Sequence, residues 1–133
     1  MQFENVSIKS VAYVDAPHVI SSASIEDKLA PVIQRLGMRP NIVEEITGIK
    51  TRRFFGENDL PSDVAAQAGE KALELAGIPK DKIGLLVSTS VCKDYIEPSV
   101  AAIVHGKMGL AGDCLNFDIG NACLGFLDGM TVA

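Results

Sequence analysis

Two short apolar runs limit this chain's choices more than any other feature. Ile83 to Val91 and Leu115 to Ile119 each lead into a polar or small-residue turn, and then into a segment of helical period. The Leu85-Leu86-Val87 centre of the first run does not alternate between apolar and polar. That is the pattern of a strand buried on both faces, which belongs to a parallel sheet covered by helices. Parallel neighbours need a crossover, so alternation of strand and helix predicts an α/β fold with a largely parallel sheet. In such sheets the loops at the carboxyl ends of the strands carry ligand chemistry. Glu97 and Cys123 both follow a strand in that way.

The rest of the chain fits this alternation. Val6 to Val14 reads as a strand broken by Asp15-Ala16-Pro17-His18. Ser24 to Asp27 resembles a capping box, and Ile25, Leu29, Ile33 and Leu36 share one helical face behind it. Pro31 either kinks or restarts that helix, and Gly37 ends it. Asn41 with Glu44 starts a short helix closed by Gly48, and Ile49 to Phe55 is extended. Asp59 or Ser62 caps a longer helix whose buried stripe is Val64, Ala68, Ala72 and Leu75. Gly77 and Pro79 stop it. Cys92 to Glu97 is a polar loop, and Pro98 opens a helix that buries Val100, Ile103, Val104 and Met108. Gly125 and Gly129, one turn apart on the last helix, predict a close approach to another backbone.

Composition narrows the function. The 133 residues suffice for one domain, and a net charge of -5 argues against nucleic acid or an anionic membrane surface as a general partner. No apolar run reaches the length of a membrane span, and the first residues lack the basic and apolar parts of a signal peptide. The three cysteines have no metal-ligand spacing, which points to reduced thiols in the cytoplasm and to no bound metal.

Candidate chemistry centres on Asp118-Ile119-Gly120-Asn121-Ala122-Cys123-Leu124-Gly125-Phe126. A strand, a tight turn and a helix would set Cys123 at or near the helix start. There the unpaired N–H groups and the positive end of the dipole favour the thiolate. The plain alternative is a small buried hydrophobe, which is also the reading of Cys92 and Cys114. Glu97 by itself is a loop acid or a helix cap. Arg52 and Arg53 read as a solvated strand end paired with acids, or as a holder of phosphates. Lys93-Asp94 reads as a surface pair, and His105 as a surface or capping residue.

That nine-residue segment resembles the nucleophile segment of the thiolase superfamily, in its 3-oxoacyl-(acyl-carrier-protein) synthase III branch. The likeness extends to Thr47-Gly48-Ile49 with Arg52 and Arg53, to the passage from Ala72 to Leu86, and to Pro98-Ser99. Glu97 stands where synthase III enzymes commonly have an aromatic residue. With Asp15 to His18 and Asp94 to Ser99, it is more similar to the olefin-biosynthesis thiolases, which join two long-chain acyl-CoA molecules head to head. Ile42 and Ile46 occupy positions where synthase III members place a tryptophan and an arginine on coenzyme A, so that contact is absent or made differently.

The resemblance implies that residues 1–133 are the N-terminal part of a thiolase-like condensing-enzyme domain, ending before the first half is complete. A second half would supply a catalytic histidine and asparagine. The implied reaction is Claisen condensation of acyl thioesters through an acyl-Cys123 intermediate, without decarboxylation. Glu97, reaching a partner subunit, would act as the base. Coenzyme A thioesters are then substrates and no cofactor is called for. Arg52 and Arg53 become candidates for coenzyme A or an acyl carrier protein, and a homodimer is expected. A synthase III that condenses acyl-CoA with malonyl-carrier protein is the alternative, followed by a non-catalytic chain that only pairs with a partner. A cysteine hydrolase is disfavoured, since no histidine and acid stand at readable partner positions.

Overall fold

The computed structural model describes residues 4–133. In chain order the elements are β1 (His18–Ser21), α1 (Ser22–Arg35), α2 (Ile42–Thr47), β2 (Thr51–Phe54), α3 (Pro61–Ala76), β3 (Leu85–Ser88), α4 (Val100–Met108), β4 (Leu115–Asp118) and α5 (Gly125–Val132). They fall into two compact units, one made of Asp15–Asn58 and the other of the residues up to Val14 together with Asp59–Ala133.

The second of these units is α/β, as the alternation predicts. Strands β3 and β4 pair in parallel, from Leu85 opposite Leu115 to Ser88 opposite Asp118. The helix α4 is the crossover between them. Its Val100, Val104 and Met108 are buried with Ala66, Leu110 and Cys114, and Leu73, Ile83 and Leu86 pack against that cluster. Apolar surface removed from water there is the main source of stability. Gly69 of α3 faces α4, where an added Cβ would lie 2.8 Å from Met108 Sδ and displace the flexible end of that side chain. The inward face of α3 is therefore Ser62, Ala66, Gly69 and Leu73. Leu75, expected in the stripe, is 62% exposed. Its position on the helix puts it about 180° from Ala66 at 100° per residue.

Several local expectations change. Among the described residues Val6 to Val14 forms no ladder. It runs as unpaired chain, held where the Ser10 hydroxyl donates to the Ala72 carbonyl at 2.7 Å and Lys71 Nζ donates to the Tyr13 carbonyl at 3.2 Å. The expected strand at Ile83 to Val91 shortens to four residues, because β4 offers only four partners. Leu60, not Asp59 or Ser62, is the N-cap of α3 and makes no side-chain cap bond. Helix α4 starts at Val100 with Ser99 as N-cap, whose hydroxyl accepts from the Ala102 N–H at 3.1 Å, so Pro98 precedes the helix.

In the Asp15–Asn58 unit, β1 and β2 form an antiparallel pair from His18 opposite Phe54 to Ser21 opposite Thr51. The strand β1 follows the Asp15–His18 turn and has no counterpart in the sequence reading. Ser21 caps α1 by accepting from the Ser24 N–H at 3.0 Å, which moves the cap three residues upstream of the expected box. Glu26 has a task that the box did not foresee. It is 7% exposed, and its carboxylate accepts the N–H groups of Asn41 and Val43, each at 2.6 Å. A remote glutamate thus caps α2, while Asn41 makes no side-chain cap bond. The helix α1 runs through Pro31 without restarting.

Candidate active site

Strand β4 delivers Asp118 to the carboxyl edge of the parallel pair, and the chain then turns through Ile119 to Asn121 into a single 3₁₀ turn, Ala122–Leu124. Cys123 sits in that turn, one turn ahead of α5, and is exposed. Ala122 has φ +41°, the left-handed region, which costs an L-residue about 1–2 kcal/mol. The turn is held in this state from both sides. The Leu124 N–H donates to the Asn121 carbonyl at 2.9 Å, and the Asn121 side-chain amide donates to Asp128 of α5 at 2.6 Å.

The two glycines of α5 do what their spacing predicts. A Cβ on Gly125 would lie 3.0 Å from the Thr89 carbonyl oxygen, and one on Gly129 would lie 2.7 Å from Thr89 Cγ2. The helix therefore rests directly on the residue that follows β3, and this fixes the distance of the Cys123 turn from the sheet. A largely apolar cavity of about 610 Å³ lies nearby, bounded among others by Ala68, Leu86, Thr89, Val104 and Phe126.

Glu97 lies in the loop that follows β3, at the same carboxyl edge, and is exposed. The Glu97–Pro98 peptide is cis. Glu97 is not the cap of the following helix. That role is shared by Ser99 and by Asp118, whose Oδ2 and Oδ1 accept the N–H groups of Val100 and Ala101 at 3.0 and 2.8 Å. Lys93 and Asp94 do not form the expected surface pair. Lys93 Nζ lies 3.7 Å from Asp118 Oδ2, and Asp94 Oδ1 accepts the Ser62 N–H at 3.1 Å, covering the start of α3. Ser62 is fully buried, and its hydroxyl accepts from Lys107 Nζ, which also reaches Asp63 Oδ1 at 2.6 Å. The Lys107 ammonium holds the Asp63 carboxyl below its usual range, chiefly through that hydrogen bond.

The structure thus brings Cys123 and Glu97 to neighbouring loops and places Arg52 and Arg53 in the other unit. Arg52 donates to Ser22 Oγ at 2.7 Å and lies 3.5 Å from Thr47 Oγ1, while Arg53 donates to the Ala16 carbonyl at 3.0 Å. These bonds tie β2 to α1 and to the chain before β1, in place of the expected pairing with acids. Of the other thiols, Cys114 is buried as expected and Cys92 is exposed. His105 Nε2 is 3.0 Å from the Ala111 carbonyl, which fastens the turn after α4. Asp118 and Asp94 escaped the sequence reading as anchors. The only local hint of the first is a charged residue closing an apolar strand.

Among the described residues no cluster of His, Cys, Asp and Glu could hold a metal, and no helix is long and apolar enough to cross a membrane. No protein-family model matches the chain. It is 46% identical over 133 residues to the acyl-CoA:acyl-CoA alkyltransferase of Xanthomonas campestris pv. campestris, covering 100% of this chain and 39% of that protein. With the enzyme of the same name from Shewanella oneidensis it shares 38% identity over 130 residues, 98% of this chain and 37% of that protein. A crystal structure of Xanthomonas campestris OleA superposes with a TM-score of 0.89 at 45% identity, covering 98% of this chain and 38% of that one. The 3-oxoacyl-(acyl carrier protein) synthase III of Xanthomonas oryzae pv. oryzae gives a TM-score of 0.91 at 48% identity, covering 99% of this chain and 39% of that one.

The chain belongs to the thiolase superfamily. This thiolase-type chain spans about two fifths of the length of the relatives it matches, and corresponds to their N-terminal part. Within the superfamily it falls in the branch shared by OleA and synthase III. Ile42 and Ile46 lie on α2, with Ile46 75% exposed.

Proposed function

We propose that residues 1–133 carry the nucleophile and the base of an acyltransferase that joins two acyl-CoA molecules by non-decarboxylating Claisen condensation. One observation carries this reading. Solved structures of Xanthomonas campestris OleA include replacements of a glutamate and of a cysteine, and those two positions are separated by as many residues as Glu97 and Cys123. The cysteine variant of that protein holds lauric acid and lauroyl-CoA.

In this reading the Cys123 thiolate attacks the carbonyl carbon of one acyl-CoA, and coenzyme A leaves as its thiolate. The Cys123 N–H helps to hold the developing oxyanion. Glu97 takes a proton from the α-carbon of a second acyl-CoA. The resulting carbanion attacks the acyl-sulfur carbonyl, a carbon–carbon bond forms, and Cys123 is released as thiolate with a 3-oxoacyl-CoA product. A carboxylate of ordinary basicity is weak for this, so Glu97 has to be desolvated on substrate binding or at a subunit interface. Exposed Tyr95 and Ile96 beside it support such covering by a second copy of the protein. A homodimer with reduced thiols, working in the cytoplasm, is part of the proposal, as is a role for Arg52 and Arg53 toward coenzyme A or a carrier protein.

The experiment is intact mass of the full-length protein after incubation with a long-chain acyl-CoA. One acyl adduct, missing in Cys123→Ala, is expected, and no adduct in the parent protein would refute Cys123 as nucleophile. The likeness to a synthase III at 48% identity favours one second reading, in which malonyl-carrier protein supplies the carbanion by losing carbon dioxide. Glu97→Ala separates the two. It abolishes self-condensation of acyl-CoA and leaves a decarboxylating reaction largely intact.

A further inference from the structure

We infer that Asp118 is a positioning residue, which holds the Glu97 loop in register with the Cys123 turn; its consequence for turnover rests on the reading of those two residues just given. Three contacts converge on this one carboxylate. Oδ2 accepts the Val100 N–H at 3.0 Å, Oδ1 accepts the Ala101 N–H at 2.8 Å, and Lys93 Nζ lies 3.7 Å from Oδ2. Lys93 stands midway along the loop that carries Glu97, and Val100 stands just past its end. The middle of the loop and the helix start that follows it thus both meet a single side chain.

That side chain is itself rigidly placed. Asp118 is 14% exposed and closes β4 opposite Ser88, and the next N–H, that of Ile119, donates to the Ser88 carbonyl at 2.8 Å. The chain then enters the Cys123 turn. A displacement of the end of the Glu97 loop, where it enters α4, therefore has to break bonds to a nearly buried carboxylate. Hydrogen bonds to a charged acceptor at a helix start are among the stronger ones available. Asp94 adds a third fixing point within the same loop through the Ser62 N–H. Simple packing would hold α4 against the sheet without a charge, as Val100 and Ala101 are 3% and 0% exposed. A carboxylate at this position adds direction: its two oxygens fix the first turn of α4, and with it the end of the Glu97 loop, on the end of β4.

The test uses the full-length protein and the variants Asp118→Asn, Lys93→Met and Glu97→Ala. Asp118→Asn keeps the shape and one acceptor oxygen but loses the charge and the second acceptor, and Lys93→Met removes only the ion pair. Two quantities are read with a long-chain acyl-CoA. The first is the rate of Cys123 acylation by mass, and the second is the rate of condensed product. Hydrogen exchange over residues 93–101 is read alongside. Asp118→Asn is expected to lower condensation at least tenfold more than acylation and to speed exchange over 93–101, with Lys93→Met a weaker copy. Equal losses in the two rates would show a merely structural residue and overturn the inference. So would unchanged exchange. If Glu97→Ala condenses normally, the role of Glu97 falls, and exchange over 93–101 still decides whether Asp118 anchors the loop.

Discussion

Replacing Gly129 by alanine sets two opposing effects against each other at one point of α5. In a free helix the change stabilises by about 1 kcal/mol, because glycine surrenders more backbone freedom. Here the added Cβ would lie 2.7 Å from Thr89 Cγ2 and 3.7 Å from Val87 Cγ1. The first distance is far inside contact, and the branched Thr89 side chain has few rotamers into which to retreat. Overpacking of this kind costs about 1–3 kcal/mol, so the net expectation is a loss of about 1 kcal/mol. Since the obstacle is one methyl group, Thr89→Ser removes it. In the Thr89→Ser background Gly129→Ala should turn from destabilising to neutral or stabilising, a coupling of about 1 kcal/mol or more. Gly125→Ala is the control. Its Cβ meets backbone, the Thr89 carbonyl at 3.0 Å and the Ile119 carbonyl at 3.5 Å, which serine does not move. Urea unfolding of the full-length protein and its variants reads all of these differences. A Gly129→Ala protein that gains the full helical increment, with no coupling to Thr89, would refute the seating of α5 on Thr89. The placement of the Cys123 turn would fall with it.

Two further outcomes are expected. Glu26→Ala leaves the Asn41 and Val43 N–H groups without their carboxylate and costs about 2 kcal/mol, while Glu26→Gln costs less; unfolding, together with hydrogen exchange at Val43, measures both. Lys107→Met returns the Asp63 pKa upward to the ordinary range of about 3.9, followed by NMR titration. Because the folded value is the lower one, the pair's contribution is present above the unfolded pKa and lost as pH falls through the folded one. Stability of the Lys107→Met protein should therefore depend less on pH below about 4, and an unchanged acid profile would count against the pair.

The features legible in the sequence are those that act within one or two turns of chain. Gly37, Gly48 and Gly77 take the positive φ that stops a helix, and each stands where the reading ends one. The Leu85-Leu86-Val87 run became a parallel strand, since an unbroken apolar run needs cover on both faces. Gly125 and Gly129 announced a close approach, although not that Thr89 is what they approach. The turn that presents Cys123 was readable for the same reason: small residues and a helical period are local signals.

What the sequence could not say is which distant group completes each local element. The starts of α2, α3 and α4 are served by Glu26, Asp94 and Asp118, carboxylates that stand 15, 32 and 17 residues from the nearer N–H groups they accept. Local cap rules assign such N–H groups to neighbours in sequence, so Asp59, Ser62 and Glu97 were the natural candidates. The fold overrides them because a buried helix end accepts whichever carboxylate the packing brings within reach. The same holds for Leu75, which periodicity places inside and the α3–α4 contact leaves outside, and for Val6 to Val14, whose residues suit a strand but find no ladder partner among the described residues. Sequence alone determined the α/β class and the turn around Cys123, and it marked Cys123 and Glu97 as candidates for chemistry. Tertiary structure decided which side chains hold those residues in place, because hydrogen-bond partners are chosen by distance in space and not along the chain.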